Sequence, residues 1–155
     1  ALDVAGRTGA VTITLEGHWD RVSCIKYCPS QQFTIATGSP DRTIRLWDTR
    51  TKKRCTRVMR GLNKGATSLS YSPCGTQLAS ASASLAGEPA VVWDMRTYSV
   101  LHRLGADATV VAWAPVGDLL AVVDEGDKTS KLMQLWCVKR QEVVARLAGH
   151  VDWVS

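Results

Sequence analysis

Three histidines, five cysteines and one crowded acidic loop are the parts of this 155-residue sequence with the types to do chemistry. Cys24, Cys28 and His18 form one conceivable zinc set, yet structural zinc sites draw on close pairs such as CxxC. None of Cys24, Cys28, Cys55, Cys74 and Cys137 makes such a pair. Three of them fall in predicted strands, so they read as reduced, buried thiols of a cytosolic or nuclear protein. Asp124, Glu125 and Asp127 share one loop, which either ligates a cation or is simply solvated. His18 and His150 each follow a glycine, and His102 stands alone in a predicted outer strand. No serine sits in a strand-turn-helix nucleophile pattern, and no glycine-rich phosphate loop leads into a helix. The sequence therefore points to a non-enzyme with no catalytic residues, metal, cofactor or small-molecule substrate.

Positive charge is the stronger chemical signal. The net charge is +5, and Arg50, Lys52, Lys53, Arg54, Arg57, Arg60 and Lys64 crowd together. Basic residues on an outermost strand guard its exposed edge against pairing with another chain. The same cluster would also be an electrostatic footprint for nucleic acid or an acidic protein. No aromatic platforms are interleaved with it, so base-specific readout is not expected, while attraction to phosphate backbones stays open.

The elements that position these residues emerge from a repeat. Trp47, Trp93 and Trp136 are 46 and 43 residues apart, and the first two are followed by Asp. Pro29, Pro73 and Pro115 are spaced by 44 and 42, and Gly17-His18 recurs at Gly149-His150. A period near 44 follows. Each period reads as four short strands: 22–27, 33–39, 43–47 and 54–59 in the first, and 66–71, 77–82, 90–93 and 100–104 in the second. The third offers 109–113, 119–123, 132–136 and 143–147. Turn residues separate them, Ser72-Pro73-Cys74-Gly75 most clearly. Leu119-Leu120-Ala121-Val122-Val123 is apolar on both alternating faces, the pattern of a strand covered on two sides. No stretch holds a helical period, and no apolar run reaches the length of a membrane-spanning helix.

Four strands per 40–45 residues, opened by Gly-His and closed by Trp-Asp, resemble the blade of a WD-repeat β-propeller. The implied fold is all-β, with about three four-stranded blades: 17–60, then degenerate units at 61–104 and 105–148. Residues 1–16 read as the end of a preceding blade and 149–155 as the start of the next. The sequence is thus expected to be an excerpt of a larger, commonly seven-bladed, propeller. Three blades cannot close a ring, and each open end would expose an apolar sheet face.

In the WD-repeat family a His, a Ser or Thr, an Asp and the Trp form a hydrogen-bonded network. The resemblance places those roles on His18, Thr37, Asp41 and Trp47. The second unit has Asn63-Lys64 in place of Gly-His and an insertion at 85–89. The third has Ala106-Asp107. Neither is expected to form the full network, and both are expected to rely on apolar packing. Trp19 and Arg21, on the connection into the first strand, and Trp153 on the corresponding later one are candidate partner anchors. The alternative for either indole is packing over its own blade.

A narrower resemblance is to the early repeats of the THO complex subunit 3 family. It rests on residues 41–50 (DRTIRLWDTR), 93–103 (WDMRTYSVLHR) and 110–115 (VVAWAP), with residues 85–89 and 124–130 departing from it. The resemblance implies a nuclear scaffold subunit in messenger-RNA processing and export, docked among other protein subunits and touching RNA indirectly. A propeller binding RNA directly through the basic cluster, or a cytoplasmic WD-repeat adaptor, are the alternatives.

Overall fold

A computed structural model of the chain describes residues 13–51, 55–82, 88–124 and 132–148. Eleven antiparallel strands make up the described structure, which contains no helix. The first sheet runs β1 (Cys24–Cys28), β2 (Gln31–Gly38), β3 (Thr43–Asp48) and β4 (Cys55–Arg60) in that spatial order. The second is a continuous seven-stranded ribbon of β5 (Ser68–Tyr71), β6 (Gln77–Ala81), β7 (Pro89–Asp94), β8 (Ser99–Trp113), β9 (Leu119–Asp124), β10 (Leu132–Cys137) and β11 (Glu142–Leu147).

Strand β8 departs from expectation. Residues 100–104 and 109–113 were expected as two strands parted by a connection at Ala106-Asp107, but they form one strand of 15 residues. Its first part pairs with β7, from Asp94↔Ser99 to Pro89↔Asp107, and its second pairs with β9, from Ala108↔Asp124 to Trp113↔Leu120. The Ala108 amide donates to Glu88 O (2.9 Å) and its carbonyl accepts from Ser82 N (3.1 Å), which pins the crossing backbone in extended form. One strand is therefore the outer strand of the second blade and the inner strand of the third. The expected partial blades at 1–16 and 149–155 fall outside the described residues, apart from 13–16. The insertion at 85–89 and the acidic loop lie largely outside them too.

Two apolar layers hold the blades together. Because side chains alternate across a strand, Val91 and Trp93 of β7 face the first blade, packing with Ile44, Leu46, Met59, Leu69 and Leu78. Ala90 and Val92 of the same strand face the third, packing with Val111, Leu120, Val122 and Trp136. A strand with a core on each side needs an unbroken apolar run, and Ala90-Val91-Val92-Trp93 supplies it. Inner strands also bond blade to blade: Ser23 Oγ donates to Ala66 O, Thr67 Oγ1 to Thr109 O (3.1 Å), and Trp113 N to Ser70 Oγ (2.9 Å). These partners are 43, 42 and 43 residues apart, so the sequence period reappears as the blade-to-blade step.

The outer face of the first sheet has a different character. Cross-strand register puts Ile25, Tyr27, Ile35, Thr37, Arg45, Trp47 and Val58 on it, and alternation adds Phe33. Ile25, Tyr27, Phe33 and Val58 are exposed there. The equivalent face of the second blade, bearing Trp93, is the one covered by the first.

Candidate functional site

The best-formed constellation surrounds the end of the β2–β3 hairpin. His18 lies in the approach to β1, Thr37 on β2, Asp41 in the β2–β3 turn and Trp47 on β3. Thr37 and Trp47 share the outer face, so the indole reaches across and donates from Nε1 to Thr37 Oγ1 at 2.7 Å. His18 Nε2 meets the same oxygen at 2.7 Å, and Nδ1 meets Asp41 Oδ2 at 2.7 Å. An ionised carboxylate only accepts, so Nδ1 carries a proton, and the Thr37 hydroxyl oxygen accepts from the indole while it meets Nε2. The His18 and Asp41 side chains are 4% and 6% exposed.

Asp41 is also the turn's own clasp. Its Oδ1 accepts from Thr43 N (2.9 Å) and Thr43 Oγ1 (2.6 Å), and its Oδ2 accepts from the Trp19 amide (3.1 Å). Burial pushes the carboxyl pKa upward, but the bonds from Thr43, His18 and the Trp19 amide outweigh it and hold the group well below the usual carboxylate range. The network thus fixes the backbone at Trp19, whose side chain is 89% exposed. Packing of this indole over its own blade is excluded by that exposure. Arg21 is exposed two residues on. Beside them lies a cavity of about 600 Å³ lined by Trp19, Asp20, Asp41, Thr43, Arg45 and Arg60.

The later blades keep parts of this arrangement. Trp93 Nε1 donates to Ser80 Oγ at 2.9 Å, both groups fully buried, so the second blade does not rely on apolar packing alone. The expectation overlooked Ser80 because its His and Asp partners are missing. Only the register reveals it: Ser80 lies opposite Val91 on the Trp93 face. In the third blade Trp136 Nε1 turns to Gln134 Oε1 at 3.2 Å. The Asp of each Trp-Asp pair closes the next turn, Asp48 accepting from Arg50 N (2.9 Å) and Asp94 from Arg96 N (2.7 Å).

The described members of the basic cluster are spread out. Arg50 is bonded through Nε (3.0 Å) and Nη2 (2.7 Å) to Asp48, and its guanidinium stands 5.0 Å from the Phe33 ring centre. That pairing lowers Asp48 to about 2. Arg57 stacks on Tyr98 at 5.4 Å. Arg60 lines the cavity beside Trp19, and Lys64 is exposed. With about 3.3 Å per strand residue, the Arg50 turn and Arg60 stand roughly 15–20 Å apart at opposite ends of β4. Lys52, Lys53, Arg54 and Trp153 lie outside the described residues.

All five cysteines are free, but only Cys28 is buried. Cys74 is exposed in the β5–β6 turn, where the hydroxyls of Thr76 (2.9 Å) and Ser72 (3.5 Å) hold its pKa down at about 7. The expectation of buried thiols fails there because a turn tip has no core to enter. His18 is committed to Asp41 and Thr37, and among the described residues no three His, Cys, Asp or Glu side chains converge as a metal-binding group.

The WD domain, G-beta repeat family matches residues 9–48 and 53–84. The chain carries WD repeats. THO complex subunit 3 of Arabidopsis thaliana is 30% identical over 115 residues, covering 73% of this chain and 35% of that protein. Pre-mRNA-processing factor 19 of Mus musculus is 28% identical over 151 residues, 92% of this chain and 28% of that protein. WD repeat and SOCS box-containing protein 1 of Danio rerio is 28% identical over 94 residues, 61% and 22% of the two. The chain spans about a third or less of the length of these relatives. The first repeat match contains the entire network, and the second ends at residue 84, just past Ser80. WD-repeat proteins are interaction scaffolds, and in this chain Trp19, Tyr27 and Phe33 are exposed aromatic groups.

Proposed function

We propose that this chain belongs to a non-catalytic protein-interaction scaffold of a nuclear assembly in messenger-RNA processing or export, with the Trp19–Arg21 rim as a docking surface. The observation that carries the reading is an indole 89% exposed on a backbone fixed by Asp41. Aromatic and arginine side chains are the usual anchors of protein interfaces, and a preorganised anchor loses little entropy on docking. Two relatives, named as a THO complex subunit and a pre-mRNA-processing factor, supply the biological setting. The exposed outer face of the first blade supports a further blade there, hence a larger propeller.

Direct RNA binding is the second reading, favoured by Arg57, Arg60 and Lys64, none of which has a carboxylate partner among the described residues. The test is affinity purification of the tagged full-length protein with and without ribonuclease, at low and raised salt. A fixed set of proteins that survives both treatments is the expected result. RNA binding that falls steeply with salt and vanishes on reversing Lys52, Lys53 and Arg54, with no stable protein set, would transfer the function to the basic cluster. Cytoplasmic residence of the tagged protein would favour an adaptor outside the nucleus.

A further inference from the structure

The rim opposite Trp19 holds a buried group without a partner. Tyr71, at the end of β5, is 8% exposed, and its hydroxyl makes no hydrogen bond. A phenylalanine would fill the same apolar space without stranding a hydroxyl, so the oxygen is not explained by packing. The Tyr71 side chain lines a cavity of about 210 Å³ between the first two blades, walled also by Cys28, Gln31, Thr56, Met95 and Tyr98. Most other polar groups in the wall are engaged. Gln31 Oε1 accepts from Thr34 Oγ1 (2.9 Å), Thr56 Oγ1 donates to Leu46 O (2.9 Å), and both Asp48 oxygens are held by Arg50.

We propose that this seam receives a carboxylate side chain from an acidic protein segment, with the Tyr71 hydroxyl as its donor and Arg57 as its flanking cation. The space lies below the range of about 300–1,000 Å³ usual for small-molecule sites, and suits one side chain. Arg57 is exposed and stacks on the cavity-lining Tyr98 ring, and among the described residues its guanidinium makes one hydrogen bond, a 3.4 Å contact to Thr56 O. Arg50 neutralises Asp48, the one carboxylate in the wall. Burial, with Cys28 and Tyr98 adding to it, pushes the Tyr71 pKa up, so its hydroxyl stays protonated and able to donate. A net charge of +5 favours an acidic partner at long range. This site is separate from the Trp19 rim and stands or falls without it.

The experiment measures fluorescence anisotropy of a labelled peptide of alternating glutamate and serine, titrated with the full-length protein and its Y71F and R57Q variants. Thermal melts run in parallel, with a labelled oligouridine as the competing probe. Y71F removes one oxygen and is expected to weaken peptide binding about tenfold, the loss of one charge-assisted hydrogen bond, while melting is unchanged or slightly raised. R57Q is expected to weaken binding and flatten its salt dependence. The proposal is overturned if the peptide does not bind, if Y71F binds like the parent, or if oligouridine shows the Tyr71 dependence instead. A sharply lowered melting temperature in Y71F would equally overturn it, by showing that the hydroxyl serves the fold.

Discussion

Thr37→Val isolates the network of the first blade, because valine keeps the shape and removes only the shared oxygen. That oxygen accepts from Trp47 Nε1 and meets His18 Nε2, both at 2.7 Å. The indole is 2% exposed and has no other route to a partner. Each buried polar group left unpaired costs about 1–3 kcal/mol. His18 sits at the rim and recovers part of its loss to water, so the total is roughly 2–4 kcal/mol. Ser80→Ala in the second blade strands only Trp93 Nε1, at roughly 1–2 kcal/mol on the same scale. Urea melts of the full-length protein measure both. With a slope of about 1–3 kcal/mol per molar, the Thr37→Val midpoint falls further by roughly 0.5–1 M. A cycle with His18→Ala should show coupling beyond the ~0.3–0.5 kcal/mol of independent sites. Equal losses from Thr37→Val and Ser80→Ala, with an additive cycle, would refute the claim that His18, Thr37 and Trp47 act as one unit.

Acid should loosen the same blade. Asp41 is held below its unfolded value of about 3.9, so the stability it contributes is full above that value and drains as pH falls through the depressed folded one. Urea midpoints between about pH 4 and 2 should fall more in the parent than in Asp41→Asn, and parallel curves would count against it. Cys74, exposed and lowered to about 7, should be alkylated by iodoacetamide at neutral pH well before the buried Cys28; mass spectrometry finding Cys28 first would contradict the turn geometry. Gly75→Ala should cost more than about 1 kcal/mol, since Gly75 has φ +71° and a Cβ would stand 2.2 Å from Ser30 Oγ of the first blade. An unchanged melting temperature would show that the two blades do not meet there.

The periodicity of Trp and Pro carried most of the architecture, because each marker sits where backbone geometry or burial recurs. Trp lies at the end of the third strand of each blade, Pro follows the first, and Gly75 takes a positive φ in the β5–β6 turn. The network residues were legible only through the family pattern, since nothing in spacing alone says that a histidine 19 residues from a threonine shares its hydroxyl. What escaped the sequence was non-local. The fusion of two strands into β8 depends on Glu88 and Ser82 holding Ala108 from both sides. Ser80 is one small polar residue among several in its strand, and its role shows only once register sets it on the Trp93 face. The dispersal of Arg50, Arg57 and Arg60 has the same origin, because neighbours in sequence separate along an extended strand and Asp48 claims one of them.

The central claim is that an exposed, rigidly based Trp19 docks a partner protein. A pull-down of the full-length protein carrying Trp19→Ala and Arg21→Glu, paired with its melting curve, tests it directly. Assembly should weaken while the melting temperature stays almost unchanged, because Trp19 contributes its backbone amide to Asp41 and leaves its indole outside. Normal recovery of the partner proteins by the double variant would contradict the account.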